Sequence, residues 1–294
     1  MKKLLIITIG IFAALVAVSQ ENSSEQFTIP LTNPGERMRL ELDHMNGNIT
    51  VVGYSGKEVI VKATSTGYAS DHDDCGGCGH DVHVNVDIDN GKDKNKEKNK
   101  DKGIPPGMKR ISVNPLELRA EERDNVVEIH TESWKRRMNL EIKVPINADL
   151  ELHTVHGFIE VSNVNGTMEI NGVNGGMSLT NISGSVLANT VNGDVSVTFK
   201  TLAKEVPMSF VTLNGDVDVT LPASVKATAK LRSDQGEIYT DFDMAMERSK
   251  TDVKKQNGQY ELSINSWVYG KINGGGPEYT FKNMHGNIIV RKGS

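Results

Sequence analysis

Apolar residues between positions 157 and 197 recur with a period of nine. A glycine opens each period, and these glycines are Gly157, Gly166, Gly175, Gly184 and Gly193. After each glycine, apolar side chains take the second, fourth and usually the seventh place, as Ile159, Val161 and Val164 do in the first period. Alternation of this kind is typical of a strand with one buried face. Because the alternation breaks before each glycine, the pattern predicts short strands joined by sharp corners.

The residue before each glycine supports this interpretation. It is asparagine in three periods, at Asn165, Asn174 and Asn192, with His156 and Ser183 as variants. Asn-Gly pairs adopt positive φ at low cost, which a tight corner requires. Although the same pair can join antiparallel hairpins, identical spacing and chemistry at every corner favour stacked coils, because equivalent corners then lie above one another. The sequence therefore predicts an all-β protein whose chain winds into a β-solenoid of stacked coils.

Later glycines indicate the size of a complete coil. They recur at a spacing of 21 or 22 residues and are Gly193, Gly215, Gly236 and Gly258. One coil is therefore expected to hold two nine-residue periods with insertions, so that Gly157, Gly175 and Gly193 stack along one edge. In this arrangement Asn174 lies above Asn192, and their amides form a ladder along the axis.

The same motif occurs near both ends, at residues 45–51 and 284–290, so one architecture is expected for the whole mature chain. We assign residues 20–65 to N-terminal strands and a first coil, and residues 109–294 to the body of the solenoid. Between them, residues 66–108 are polar and rich in Asp, Lys, Gly and His. Such a segment buries too little apolar surface to order itself, so we expect a disordered polar loop inserted between coils.

The N-terminus has the pattern of a secretory signal peptide. Two lysines precede an apolar stretch at residues 4–18, and the small residues Ala17 and Ser19 stand at its end. This pattern predicts a signal peptide of residues 1–19, with export to the periplasm, the outer surface or the medium. The stretch is shorter than the ~20 residues that a membrane span needs, so we expect no transmembrane span after cleavage. A retained N-terminal anchor is the alternative.

Composition narrows the functional classes. The net charge is −5, from 33 basic and 38 acidic residues, which gives no general attraction for nucleic acid. The 28 glycines and the aromatic content of 5% suit a chain with many tight turns. No Ser-His-Asp order, phosphate loop or nucleotide-binding motif occurs. These features favour a binding or structural protein over an enzyme.

Segments of the type Thr-Val-Asn-Gly-Asp-Val occur at residues 154–159, 190–195 and 212–217. Together with Leu-Pro-Ala-Ser-Val at residues 221–225, they resemble the bacterial "putative adhesin" family of exported, DUF4097-like β-solenoid proteins. The resemblance extends over most of the chain. It implies an exported, single-stranded parallel β-helix, right-handed as crossover connections usually are. The implied role is adhesin-like, in a family whose biochemical activity is poorly defined.

Five side chains that can ligate a metal stand close together within the polar segment. They are His72, Cys75, Cys78, His80 and His83. A Cys-x-x-Cys pair with two histidines can hold one zinc ion in a tetrahedral site. In an oxidising compartment two cysteines at this spacing usually form a disulfide instead, and incidental free thiols are a third interpretation. We therefore expect a Cys75–Cys78 disulfide, with zinc as the one candidate cofactor.

Acidic residues after the repeat glycines are the other candidates for chemistry. Calcium-binding β-rolls need Gly-Gly-x-Gly-x-Asp repeats, but here only Asp194 and Asp216 place an acidic residue directly after the repeat glycine, so we expect no calcium ladder. These two carboxylates and Asp218 could lie on adjacent coils, as a carbohydrate-cleaving β-helix requires. We interpret them instead as turn and surface residues. His156 and His285 take the corner place of asparagine and are likewise interpreted as turn residues.

The signal, the repeat and the lack of a catalytic motif favour an exported, non-enzymatic solenoid with a binding or structural role. Its expected partners are components of the envelope or cell surface, glycans included, and not nucleic acid. Two alternatives stay open. One is a periplasmic metal-binding protein that uses the Cys/His segment, and the other is a carbohydrate-active β-helix enzyme.

Overall fold

The computed structural model describes residues 24–68, 118–131, 136–248, 252–256, 259–263 and 267–293. Within these ranges every regular element is a β-strand, and no helix occurs. The predicted signal peptide, residues 1–19, lies outside the described residues, and so does nearly all of the predicted polar insertion, residues 66–108.

Twenty-two strands follow one another along the described chain. The first eleven are β1 (Ser24–Pro30), β2 (Met38–Asn46), β3 (Ile49–Tyr54), β4 (Glu58–Tyr68), β5 (Leu118–Arg123), β6 (Val126–Thr131), β7 (Arg136–Pro145), β8 (Ala148–His156), β9 (Ile159–Ser162), β10 (Asn165–Asn174) and β11 (Met177–Asn192). The remaining eleven are β12 (Val195–Leu202), β13 (Met208–Asn214), β14 (Val217–Pro222), β15 (Ala227–Gln235), β16 (Ile238–Thr240), β17 (Met244–Arg248), β18 (Asp252–Gln256), β19 (Gln259–Ser263), β20 (Val268–Ile272), β21 (Glu278–His285) and β22 (Ile288–Gly293).

Each coil consists of two strands that meet at a corner and belong to different walls. One wall, called wall A, contains in spatial order β6, β2, β8, β10, the second half of β11, β13, β21 and β15. The other, called wall B, contains β7, β3, β9, the first half of β11, β12, β14, β22 and β16. Neighbouring strands within this order are parallel in both walls, as a coiled chain requires. The prediction of an all-β, parallel solenoid is therefore confirmed.

The register between central coils confirms the predicted coil length. Strands β8, β10 and the second half of β11 pair at an offset of 18 residues, so that Ile170 lies opposite Leu152 on one side and Ala188 on the other. The glycines follow the same register, as Gly166 lies opposite Gly184. One coil thus holds two nine-residue periods.

The order of the coils differs from their order in the sequence at both ends of the stack. Near the C-terminus, β21 lies between β13 and β15, and β22 lies between β14 and β16. Gly286 therefore separates Gly215 from Gly236, which the 21-residue spacing alone would place in contact. Near the N-terminus, β2 and β3 are inserted between the β6–β7 coil and the β8–β9 coil. Glycine spacing indicates where the chain turns, but it does not indicate which coil a strand joins.

One predicted repeat is an antiparallel hairpin. The alternation at Tyr260 and Leu262 predicts a further coil that opens at Gly258, but this prediction is wrong. Both residues belong to β19, which pairs antiparallel with β18 in a separate two-stranded sheet, and Gly258 itself lies outside the described residues. Alternation shows that a strand has one buried face, but it does not show the direction of the neighbouring strand. The same pattern is therefore compatible with parallel and with antiparallel pairing.

Antiparallel strands follow the parallel stack at its ends. At one end β4 pairs with β7, β1 pairs with β4, and β5 pairs with β6. At the other end of wall A, β20 pairs with both β15 and β17. A last parallel coil without such strands would leave long open edges that tend to pair with other chains. The reversed strands therefore cap the solenoid.

The core lies between the two walls, where inward aliphatic side chains from successive coils form columns. Buried and exposed positions alternate along each strand, as they do in β2 around the fully buried Leu40 and Leu42. Aromatic rings fill the C-terminal half: Phe210 stacks on Phe281 with ring centroids 5.3 Å apart, and Phe199 meets Phe210 edge-on at 6.2 Å. Function therefore rests on the outward side chains and on the loops.

Candidate functional site

The corners between wall A and wall B form a continuous edge along the solenoid. In spatial order its glycines are Gly47, Gly157, Gly175, Gly193, Gly215, Gly286 and Gly236. All but the last have φ between +126° and +148°. A Cβ on Gly175 would lie 2.0 Å from the carbonyl oxygen of Gly157. Because only glycine allows this approach, the coils are in close contact and in register at the corner.

The residues before the first six of these corner glycines form a row of polar side chains, called the corner row. Its members are Asn46, His156, Asn174, Asn192, Asn214 and His285. The Asn192 amide donates to Oδ1 of Asn174 at 2.9 Å, and the Asn214 amide donates to Oδ1 of Asn192 at 2.7 Å. The predicted amide ladder is therefore confirmed, and the two histidines stand in asparagine positions as predicted. A laddered amide still has a second N–H and a second lone pair with which to bind a ligand.

The carboxylates considered as catalytic candidates hold coils together. Oδ1 of Asp194 accepts the backbone N–H of Asp216 at 2.8 Å, and Oδ1 of Asp216 accepts the backbone N–H of Asn287 at 2.7 Å. Asp218 forms a bidentate ion pair with Arg291, with N–O distances of 2.8 Å. That pair raises the pKa of the Arg291 guanidinium, chiefly through the hydrogen bond. These contacts assign the three carboxylates to coil stacking and to a surface ion pair.

Apolar side chains line the outer face of wall A one residue before the corner row. This apolar stripe consists of Met45, Val155, Val173, Val191, Leu213 and Met284. Five of the six are 38% to 42% exposed, and Val155 is half-buried. Because neighbouring strands lie about 4.8 Å apart, the stripe is roughly 24 Å long. It is a continuous apolar feature that runs along the axis of the solenoid.

A second row of outward residues lies on the other side of the stripe, two positions before it in each strand, and is called the strand row. Its members are Asp43, His153, Asn171, Asn189, Val211 and Lys282. The Asn189 amide donates to Oδ1 of Asn171 at 3.1 Å, which makes a second amide ladder parallel to the first. The apolar stripe therefore runs between two rows that are polar except at Val211.

In three central coils the two rows and the stripe contain no charged residue, and we call this surface the central patch. Its members are Asn171, Val173, Asn174, Asn189, Val191, Asn192, Val211, Leu213 and Asn214. Charged residues make up 24% of the chain, so a surface of this size without one differs from the rest of the protein. The patch offers apolar contact and uncharged hydrogen-bonding groups side by side.

Charged side chains lie beside the N-terminal end of this surface, and they form ion pairs with one another. Arg39 forms ion pairs with Glu41, at 2.7 Å, and with Glu151. Nε2 of His153 lies 3.3 Å from Oε1 of Glu151, and hydrogen bonds from His153 and Arg39 lower the pKa of the Glu151 carboxyl. The bond to Glu151 also raises the pKa of Arg39. Such exposed pairs contribute only about 0–1 kcal/mol each, and one arginine between two glutamates leaves this end of the surface negatively charged.

A buried histidine lies inside wall A, and sequence patterns did not identify it. His44 is 3% exposed, and its Nδ1 lies 2.7 Å from Oγ1 of Thr131. Burial lowers the pKa of His44 from 6.5 to about 4, so the ring is neutral at pH 7. Buried threonines stand at the equivalent place in other coils, at Thr154, Thr190 and Thr212. His44 therefore replaces a threonine in an inward polar column.

The predicted metal-ligating residues lie outside the part of the chain that the structure describes. These are His72, Cys75, Cys78, His80 and His83, so the expected disulfide and the zinc alternative both stay predictions. Among the described residues, no three His, Cys, Asp or Glu side chains group so that they could hold a metal ion. The same residues form no helix that is long and apolar enough to cross a bilayer.

A family model and a solved structure are similar to this chain. A sequence model of the family described as "Toastrack DUF4097" matches residues 108–291. No curated protein matches the chain. Among solved structures, a crystal structure of a "putative cell adhesion protein" from Clostridium sporogenes matches 93% of this chain and 100% of its own, with 15% sequence identity and a TM-score of 0.47.

Proposed function

Because the chain belongs to the Toastrack DUF4097 family, whose parallel solenoid is the fold described above, we propose that it is an exported, non-catalytic protein of the cell envelope. In this proposal the outer face of wall A is the working surface. The partner is a neutral glycan chain of the envelope, and it lies on the central patch along the solenoid axis.

The central patch carries this proposal. Contiguous exposed apolar residues on a folded domain mark contact sites, and Val173, Val191 and Leu213 are each about two-fifths exposed. The amide ladders on both sides add donors and acceptors without charge. Sugar rings have an apolar face and a hydroxyl-rich edge, so a neutral glycan can pack on the stripe and bond to the amides at once.

The rigidity of the surface favours binding of an extended polymer. The amides of Asn174, Asn192 and Asn214 are already held by one another at 2.7 to 2.9 Å, so little side-chain freedom is lost when a ligand binds. The rows repeat at the strand spacing of about 4.8 Å, which presents the same set of groups several times along one line. A chain-like ligand can use each repeat, whereas a compact ligand can use only one or two.

The absence of catalysis is supported by the contacts of the candidate acids. Asp194, Asp216 and Asp218 are engaged by backbone N–H groups or by Arg291. Glycoside cleavage needs two carboxyl groups that are free to act on a bound sugar as acid and base or nucleophile. In this chain the three acids instead accept hydrogen bonds between coils or form a surface ion pair.

Co-sedimentation of the purified chain with insoluble neutral envelope polysaccharide tests the proposal. The double variant Val191→Glu, Leu213→Glu places charge on the central patch, and we expect at least a ten-fold loss of retained protein at equal polysaccharide. The double variant Ser196→Glu, Thr198→Glu places the same charge on the outer face of wall B, at two exposed positions of β12, and should leave retention unchanged. Equal loss in both variants, no retention of the unaltered chain, or cleavage of the polysaccharide would each contradict the proposal.

A further inference from the structure

A cleft lies at the ends of three neighbouring coils, on loops that neither the corner row nor the apolar stripe includes. Its walls are residues 200–205 at the end of β12, residues 222–226 after β14, and residues 275–279 before β21. We call it the return-loop cleft. Its volume is about 610 Å³, which lies within the range of roughly 300–1,000 Å³ that is common for small-molecule sites.

The floor of the return-loop cleft is apolar. Leu202, Pro222, Val225 and Pro277 line it, and the ring of Tyr279 lies at its base and is buried. Burial also raises the pKa of the Tyr279 hydroxyl, so this group keeps its proton at neutral pH and can donate a hydrogen bond. A floor of prolines, aliphatic side chains and a phenol ring suits the face of a ring-shaped ligand.

The rim of the cleft is cationic. Lys200, Lys204 and Lys226 line it, against the single carboxylate of Glu205. None of the three lysines forms an ion pair with another described residue, whereas Lys62 and Lys230 on the walls are paired with Glu141 and Glu278. Like charges that converge without a counter-ion create a positive potential, which a low-dielectric floor strengthens. The cleft is thus a local positive site on a chain whose net charge is −5.

Three lysines around an apolar floor fit a ligand that has both an oxyanion and a ring. We propose that the return-loop cleft binds a sugar-sized ring that carries a carboxylate or phosphate group, with the ring on the floor and the oxyanion at the lysines. Lysine binds either oxyanion as a point charge and does not select between them by geometry. The site goes beyond the proposed function, because the central patch is uncharged and lies on the corner side of wall A.

Titration calorimetry of the full chain with three probes tests this site. The probes are glucuronic acid, glucose 6-phosphate and glucose, which share a ring and differ in the oxyanion. We expect heat of binding from at least one anionic probe and none from glucose, with affinity that falls as salt is raised. A response to only one of the two anionic probes would identify the group that the lysines prefer. No binding of either anionic probe, or equal binding of glucose, would overturn the proposal.

Variants with effects of opposite sign separate binding from folding. The double variant Lys204→Gln, Lys226→Gln should lower the binding affinity for the anionic probe at least ten-fold. Glu205→Gln should raise that affinity several-fold, because it removes the one carboxylate of the lining. Lys143→Gln, at an exposed lysine of β7, is the matched control and should change nothing. An equal loss in the control, or weaker binding after Glu205→Gln, would contradict the site. Retention on neutral polysaccharide should be unaffected by these variants, so the two proposals can fail independently.

Discussion

A methyl group added at one corner glycine should force two coils of the solenoid apart. In Gly175→Ala the new Cβ would lie 2.0 Å from the carbonyl oxygen of Gly157, and ordinary contact begins at 3.4 Å. The obstacle is backbone, so no side-chain rotation can relieve the clash. Gly175 also has φ of +148°, where an L-residue is strained whatever the space around it.

The size of the effect follows from these two terms. Backbone strain at a sparsely populated conformation costs about 1–3 kcal/mol. Separation of the coils weakens the corner bonds from Gly157 N–H to the carbonyl of Asn174, at 3.0 Å, and from Ile159 N–H to the carbonyl of Gly176, at 3.1 Å. Each such bond contributes about 1 kcal/mol. The expected loss is therefore about 3–5 kcal/mol in the free energy of unfolding, a large part of the stability of a typical domain.

Thermal and urea unfolding, followed by circular dichroism, measure the loss against a matched control. Gly35→Ala is that control, because Gly35 has φ of +104° but no atom within 4 Å of an added Cβ. It should show the strain term alone, so Gly175→Ala should be less stable than Gly35→Ala by about 2 kcal/mol or more. At about 2–4 °C per kcal/mol for a domain of this size, the two melting temperatures should differ by several degrees. Equal destabilisation by the two variants would refute the account of the corner.

Three further substitutions test the interior and the ladders. His44→Thr matches the residue of neighbouring coils. The pKa of His44 falls from 6.5 to about 4 on folding, so its stability contribution is complete above pH 6.5 and is lost as the pH falls towards 4. The variant should therefore be less acid-sensitive in urea titrations by up to about 3 kcal/mol between pH 7 and pH 4, and parallel pH profiles would contradict this. Asp216→Ala removes the acceptor of the Asn287 N–H and should lower the free energy of unfolding by about 1–2 kcal/mol. Asp216→Asn retains an acceptor and should change that free energy by less than about 0.5 kcal/mol. A larger loss in Asp216→Asn than in Asp216→Ala would exclude the stacking role. Phe210→Ala removes a ring that is stacked at 5.3 Å on its neighbour and should lower the free energy of unfolding by about 3–5 kcal/mol, and a loss below about 1 kcal/mol would contradict the core packing described here.

Local sequence signals were sufficient to predict the repeat, the corners and the amide ladder of the corner row. Alternation shows which side chains point inward, and an Asn-Gly pair marks a corner with positive φ. Because the register in the central coils is exactly two periods, Asn174 and Asn192 could be placed in contact before any coordinates were known. These features depend on residues that are close in sequence or related by the repeat.

The stacking order could not be predicted, because it depends on contacts between distant segments. Gly286 pairs with Gly215 across 71 residues, and Gly47 pairs with the residue before Gly157 across more than one hundred. Nothing in the local pattern distinguishes one corner motif from another, so a strand near either terminus suits several places in the stack. The same limit explains why the antiparallel β18–β19 pair resembles a further coil.

The candidate surfaces were missed for a related reason. Val173, Val191 and Leu213 each look like isolated surface residues in the sequence, and only the stacking of coils makes a stripe of them. The return-loop cleft draws on three loops from coils that meet only in the folded chain. His44 stands in an ordinary strand pattern, and its burial in a column of threonines depends on β2 lying between β6 and β8.

The exchange of coils at the C-terminal end decides how the apolar stripe continues beyond Leu213 on the outer face of wall A. Asn214 pairs with His285, and His285 pairs in turn with Gln235. The residues just before them, Leu213 and Met284, are therefore neighbours on the stripe, and Asp234 lies one coil further away.

Disulfide formation between engineered cysteines tests this arrangement most directly, in a chain with Cys75→Ser and Cys78→Ser. Neighbouring strands lie about 4.8 Å apart, which is within the Cα separation that a disulfide spans. Leu213→Cys with Met284→Cys should crosslink on mild oxidation, and peptide mass spectrometry should find the linked pair, whereas Leu213→Cys with Asp234→Cys should stay reduced. Crosslinking of the second pair and not of the first would show that the coils stack in sequence order, and the apolar stripe would then end at Leu213 instead of continuing to Met284.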